Sequence, residues 1–195
     1  MILKRGEGSY RMSIRNNIRG LWSGAISRDQ FEGSMITTID GGLHDAFAEG
    51  AKECGITEED YTDVEQRAIQ EAVTSEIEHL DALIDDITAN SRAKKGKLDP
   101  LYQRAEMWIL RYMDMVNQGK VMACSDKKFK WVLGPTEHCS TCAKLAGLVK
   151  RGSFWRNYVL PQNPPNSQLI CQGWKCACNL ELTDERVTRR TPSVP

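Results

Sequence analysis

At 195 residues, 41% hydrophobic and 27% charged, the chain is long enough to bury a core in one large domain or two small ones, with the composition of an ordinary globular protein. No apolar run approaches the length of a membrane span, and the opening Met-Ile-Leu is too short for a signal peptide, so a cytoplasmic setting that keeps thiols reduced is expected. The formal net charge of zero divides into +4 over residues 1–30, −14 over 31–90 and +10 over 91–195, which implies internal complementarity or two separate partner surfaces.

From Arg11, the apolar residues Ile14, Ile18, Leu21, Trp22 and Ala25 make one helical stripe. Gly20 and Gly24 weaken that helix intrinsically, so packing must hold it. Asp29 is placed to cap a second helix, in which Phe31, Met35, Ile39, Leu43, Phe47 and Ala51 recur every fourth residue. Gly41-Gly42 offers a bend and Gly55 a C-terminal stop. Thr62-Asp-Val-Glu65 has the form of a capping box. The helix it opens meets no breaker before Ala89, which predicts a rod of about 40 Å. Its core stripe is Ile69, Val73, Ile77, Leu80, Ile84 and Ile87, and its other face carries Glu71, Glu76, Glu78, Asp81, Asp85 and Asp86. A solvated face is the plain reading of those acids. Carboxylate metal sites in helical bundles use Glu-x-x-His on facing helices, and Glu76 with His79 makes only a single such pair, so His79 is read as an ordinary helical residue.

Residues 91–98 form a basic, glycine-containing connection. Asp99-Pro100 then gives N-cap and first-turn proline for a fourth helix with a core face of Ala105, Trp108, Ile109, Tyr112, Met115 and Val116, ended by Gly119. After Lys120 the pattern changes. Phe129, Trp131 and Leu133 alternate with Lys128, Lys130 and Val132 as a short strand turned by Gly134-Pro135. Leu145, Leu148 and Val149 indicate another strand or turn around Gly147, and Asn179 to Leu182 a closing strand. The polar segment 183–195 reads as a mobile tail.

Five of the seven cysteines lie between these last elements, as Cys139-x2-Cys142 and Cys171-x4-Cys176-x-Cys178. A C-x2-C knuckle brings two thiolates to one tetrahedral ion from a single turn, and a second group across a hairpin completes the shell. Cys139, Cys142 and Cys176 belong to any such site. Cys171 and Cys178 contest the fourth place, since C-x-C is a strained bite for one ion, and His138 beside the knuckle is a further candidate. Disulfides are the alternative outside a reducing compartment. A redox C-x-x-C would want a βαβ context that does not precede Cys139. Cys54 and Cys124 read as unliganded core cysteines. The favoured ion is a structural zinc held by four of the five, and the expected architecture is mainly α: a helical region over 1–120, a small zinc-stabilised α+β module over 121–182, and the tail.

The order of motifs carries a resemblance. Arg104-Ala-Glu106 on a helix is followed by Lys130-Trp131, Glu137-His-Cys-Ser-Thr-Cys142, Leu145-Ala-Gly147, a proline-rich loop and Cys171-Gln-Gly-Trp-Lys-Cys-Ala-Cys178. This resembles the minor head, or head morphogenesis, proteins of bacteriophages related to protein F of phage Mu. The likeness is specific over residues 100–182. Before that the chain matches as a helical region, with Trp22-Ser-Gly24 and Phe31 to Met35 similar to the start of one subgroup. The family's second half is His-Pro-x-Cys-Arg-Cys. Here Cys176-Ala-Cys178 supplies both cysteines, no histidine precedes them, and Cys171 stands close enough to replace it as ligand. The resemblance implies a few-copy protein of the capsid interior that associates with portal and capsid proteins, enters during assembly and influences packaging or ejection of the genome. Its location would be the virion, and the host cytoplasm during assembly. No reaction is implied.

Enzymatic readings do not fit the residues. A zinc deaminase needs His/Cys-x-Glu followed by Pro-Cys-x-x-Cys, and the histidine contexts His44-Asp-Ala, His79-Leu-Asp and His138-Cys-Ser lack the glutamate. Metalloprotease and P-loop motifs are missing. The alternative function is a zinc-ribbon-like module that binds nucleic acid, phage DNA included, through Lys127, Lys128, Lys130, Lys144, Lys150, Arg151 and Lys175, although no aromatic-interleaved basic groove is visible.

Overall fold

In a computed structural model the described residues are 5–135, 137–162, 164–174 and 176–195. Lys175, one of the candidate basic contacts, and Thr136, in the turn before the knuckle, lie outside them. The fold is mainly α with a small antiparallel sheet. In chain order the elements are α1 (Arg5–Ser23), α2 (Arg28–Ala51), α3 (Asp63–Ile77), α4 (Leu80–Ala89), α5 (Asp99–Ala123), β1 (Lys128–Val132), α6 (Ser140–Leu145), β2 (Val149–Arg151), α7 (Gly152–Tyr158) and β3 (Asn179–Leu182). Among the described residues no helix is long and apolar enough to cross a membrane.

The chain forms two compact units, and they do not divide at residue 120. One takes residues up to Asp45 together with Arg67–Tyr112; the other takes Ala46–Gln66 and Met113–Pro195. The reason is in the helices: α2 gives residues 28–45 to one unit and 46–51 to the other, and α5 divides between Tyr112 and Met113.

In the first, all-helical unit, the stripes converge except at their margins: Leu21, Trp22 and Ile77 are half-buried, and Ala25, beyond the end of α1, is exposed. Ile14, Ile18, Phe31, Met35, Ile39, Leu43, Ile69, Val73, Leu80, Leu83, Ile84, Ile87, Trp108 and Ile109 are all buried. Such side chains supply about 1.5–3 kcal/mol each on burial. Helix α2 starts two residues earlier than Asp29 suggested. Ser27 is its cap: Ser27 N–H donates to Gln30 Oε1 (2.9 Å) and Gln30 N–H to Ser27 Oγ (3.2 Å), a reciprocal box. It runs unbroken through Gly41-Gly42, with the Tyr10 ring lying against Gly42.

The single rod expected from the Thr62 cap to Ala89 is two helices. The carbonyl of Glu76, which would accept from Leu80 in a continuous helix, instead accepts from the buried Trp108 indole (3.2 Å) and from His79 N–H (3.4 Å). Glu76 itself was assigned to the solvated face and is buried, its Oε1 2.5 Å from Arg111 Nε. His79 is exposed, as expected of an ordinary helical residue. The three aspartates of that face meet cations of the same unit. Arg28 reaches Asp81 (2.8 Å) and Asp85 (3.6 Å), Arg104 pairs with Asp86, and Arg11 and Arg15 both grip Glu106 at 2.7 Å. Much of the charge partition is therefore neutralised within this unit.

In the second unit, helix α5 continues past Gly119 to Ala123. A Cβ at Gly119 would strike the Phe47 carbonyl, and one at Gly50 the Val116 carbonyl, so this glycine pair lets the two backbones touch where a larger residue would hold them apart. Thr62 and Glu65 form half of the expected capping box: Thr62 N–H donates to Glu65 Oε2 at 3.1 Å, while Thr62 Oγ1 accepts from Val64 N–H at 3.3 Å rather than from Glu65 N–H. Cys54 and Cys124, read as free core cysteines, are joined as a disulfide with Cα atoms 5.8 Å apart. The sheet has the order β2-β1-β3, with Phe129 opposite Lys150 on one side and Leu182 on the other. Phe129 and Trp131 point into the core as the alternation predicted, beside Trp155, whose indole donates to the Phe129 carbonyl (3.0 Å). Strand β3 is anchored to α5: Asn117 Oδ1 accepts from Leu180 N–H (3.2 Å), and the buried Lys120 donates to the Leu180 carbonyl (2.6 Å) while lying 3.1 Å from Glu53.

Residues 183–195, expected as a mobile tail, fold back along the free side of β2. Thr188 exchanges hydrogen bonds with Val149 (2.9 and 3.1 Å), the Lys150 ammonium donates to the Thr188 carbonyl (2.7 Å), Tyr158 bonds to the Pro192 carbonyl, and Val194 packs on the core.

Candidate metal centre

Strand β1 delivers the chain through Gly134-Pro135 to the knuckle. A Cβ on Gly134 would collide with the Ala177 carbonyl, so the absence of one allows this turn to sit directly on the segment between Cys176 and Cys178. Cys139 then caps α6 with sulfur: its Sγ accepts from Cys142 N–H at 3.4 Å. The first helical turn sets both knuckle thiols on one side, with Cys142 buried and Cys139 at the rim.

The second cysteine group arrives on a loop held by buried amides. Asn166 donates to the carbonyls of Leu160 (2.9 Å) and Gln162 (3.2 Å), its own N–H bonds the Gln172 carbonyl (2.9 Å), and Gln162 reaches the Cys178 carbonyl (3.5 Å). Thr141 Oγ1 accepts from Ile170 N–H (3.4 Å), pinning the loop to α6 just before Cys171. These contacts bring sulfurs from two distant parts of the chain together.

All five of the cysteines outside the disulfide lie in this cluster. Within 4.8 Å of one another are Cys139, Cys142 and Cys171, and again Cys142, Cys176 and Cys178. Cys142 Sγ stands 3.9 Å from Cys176 Sγ, and Cys178 Sγ 3.8 Å from His138 Nδ1. A tetrahedral ion with bonds of about 2.3 Å to sulfur holds its ligands about 3.8 Å apart, so these spacings fit one. Soft thiolates select thiophilic ions over magnesium or calcium. Cys171 falls in the first group and Cys178 in the second, and Cys139 and Cys176, expected together with Cys142, are divided between them as well.

The surroundings divide the thiols. Burial pushes Cys171 up, and Cys176 is raised as well, with the Cys142 thiol opposing and Cys178 and burial raising it. Only Cys178 and Cys139 are favoured as anions. Thiol hydrogens of Cys142 and then Cys176, helped by Gly134 N–H and the Trp131 indole, hold Cys178 down at about 3 against the cost of burial. Cys139 settles at about 7, with burial opposing and the backbone N–H groups of Cys142 and Cys171 lowering it. Cys142 is pushed up as the shared proton donor towards Cys176 and Cys178. The Trp131 indole N–H is buried without an oxygen or nitrogen acceptor, as suits a donor directed at sulfur. Backbone and indole donors of this kind neutralise a buried thiolate shell without bringing in a cation. The cysteines were legible from their spacing; Trp131, read only as core, Gly134 and Asn166 carry no such signal, because their roles depend on a loop path that spacing does not encode.

Of the basic residues considered for nucleic acid, Lys128 donates to the Asp184 and Glu185 carbonyls (2.6 and 2.8 Å), Lys130 pairs with Glu185 (2.7 Å), Lys150 is buried, and Arg151 donates to the Asp126 carbonyl (2.7 Å). Lys127 and Lys144 are exposed. Comparisons of the chain with protein-family models, with curated proteins and with solved structures return no match.

Proposed function

We propose that the chain is a minor head protein of the kind related to protein F of phage Mu, associated with the portal inside the capsid, and that its cysteine cluster is a structural zinc centre. The observation that carries this reading is the meeting of Cys139 and Cys142 with Cys171, Cys176 and Cys178 in a unit short of regular structure. The motif order from Arg104 to Cys178 supplies the family likeness. Structural zinc contributes on the order of 10 kcal/mol or more of apparent folding free energy, enough to order a loop-rich segment. Acting through binding rather than reaction is consistent with sulfurs engaged by backbone donors.

The alternative, a zinc-ribbon-like nucleic-acid binder, has less behind it because Lys128, Lys130, Lys150 and Arg151 already have internal partners. Affinity capture from cells producing phage heads separates the two. Co-purification of portal subunits that survives nuclease supports the head-protein reading. Capture of DNA alone, lost with rising salt and on substitution of Lys127 and Lys144, refutes it in favour of the alternative.

A further inference from the structure

We infer that the cluster holds two divalent ions, with the Cys142 thiolate bridging them; this rests on the reading of the cluster as a metal centre and fixes its stoichiometry. One tetrahedral ion requires all of its sulfurs to be neighbours, about 3.8 Å apart on every edge. The five sulfurs instead form two triads that meet at one atom: Cys139, Cys142 and Cys171, and Cys142, Cys176 and Cys178. Cys142 is therefore a corner of both shells. A thiolate sulfur has lone pairs enough to bind two ions at once, and Cys142 occupies the position where that is needed.

The two shells differ in depth. Cys176 and Cys178 are buried, at 6% and 0% exposure, whereas Cys139 and Cys171 lie at the surface margin. Beside the inner shell His138 Nδ1 lies 3.8 Å from Cys178 Sγ but outside the mutual spacing that joins Cys142, Cys176 and Cys178, so this triad is the set of protein ligands the inner ion has. The outer shell has three sulfurs and faces solvent, so water completes it. Charge favours the same count. Five thiolates around one divalent ion leave three uncompensated negative charges, and burying such charge is costly. Two ions leave one, which the N–H groups of Gly134, Cys142, Cys171, Gly173 and Cys178 stabilise. With a single ion the fifth cysteine must stay protonated as a spare.

The test is native mass spectrometry of the full chain refolded with zinc or cadmium, joined to cadmium-113 NMR. Two ions per chain are expected, giving two cadmium resonances split by coupling through the shared sulfur. Cys171→Ser should keep one ion, the inner one, and Cys178→Ser should keep one, the outer. A competing chelator should remove the ions in two phases, and Cys171→Ser should lose the faster phase alone. One ion per chain, retained by both variants, would overturn the bridge while leaving the metal reading intact. Two uncoupled resonances would also overturn it. Folded protein that takes up no ion would remove both readings together.

Discussion

Replacing Cys142 by Ser tests how far the cysteine-bearing unit depends on its sulfur cluster. The side chain is 1% exposed and belongs to both triads, so the substitution removes a ligand from every metal shell the cluster can form. Apparent metal contributions of about 10–16 kcal/mol equal or exceed the net stability of a typical domain, about 5–15 kcal/mol. The Cys54–Cys124 disulfide spans a sequence separation of 70, and chain entropy assigns such a crosslink about 4 kcal/mol. It ties the ends of α2 and α5 but does not include residues 133–182, so it does not replace the lost ligand. Limited trypsin digestion is the assay, with Lys144 and Arg156 as the exposed sites to watch. The variant should be cut there at least tenfold faster than the parent, while residues 5–45 and 67–112 stay protected and zinc content falls. Unchanged cleavage together with unchanged zinc would refute the reasoning, because it would mean that the core around Trp131 and Trp155 suffices.

Three further outcomes follow from named contacts. Glu76→Ala removes the buried carboxylate 2.5 Å from Arg111 and should cost about 3 kcal/mol in urea unfolding, part of it recovered in a Glu76→Met, Arg111→Leu double variant. Gly119→Val drives a branched side chain into the Phe47 carbonyl and should cost about 3 kcal/mol or more, whereas the same change at exposed Gly33, which has open space around it, should cost less than about 1 kcal/mol. In metal-free protein, thiolate absorbance near 240 nm should persist down to mildly acidic pH because Cys178 is held at about 3, and Cys178→Ser should abolish that acid-resistant signal. The sign is that of a depressed acid: the stabilisation from Cys178 is complete above the ordinary thiol value and drains away as pH falls towards 3.

What the sequence made legible was what repeats or clusters. The fourfold spacing from Phe31 to Ala51 and the alternation of Phe129 and Trp131 translate directly into buried faces, since each reports a single element's period. The two cysteine groups were equally plain, because metal chemistry narrows the separations that work. Features decided by a second element were not. Gly119 looks like a stop until the Phe47 carbonyl is placed beside it, and Glu76 looks solvated until Arg111 and the Trp108 indole arrive to take its carboxylate and its carbonyl. Helix α7 escaped notice because Gly152 and the aromatic run Phe154-Trp155 resemble a turn and a strand, and its burial against the sheet overrides both propensities. The pairing of Cys54 with Cys124 depends on α2 and α5 meeting, which no local pattern announces.

The folded-back C-terminal segment has a consequence for how this polypeptide can be shortened. Thr188 is what occupies the outer hydrogen-bonding side of Val149. A chain ending at Leu182 would present that rung bare, next to a lysine stripped of its acceptor, and exposed strand margins recruit one another. Trimming an apparently dispensable stretch would thus uncover a strand margin open to pairing with a second copy.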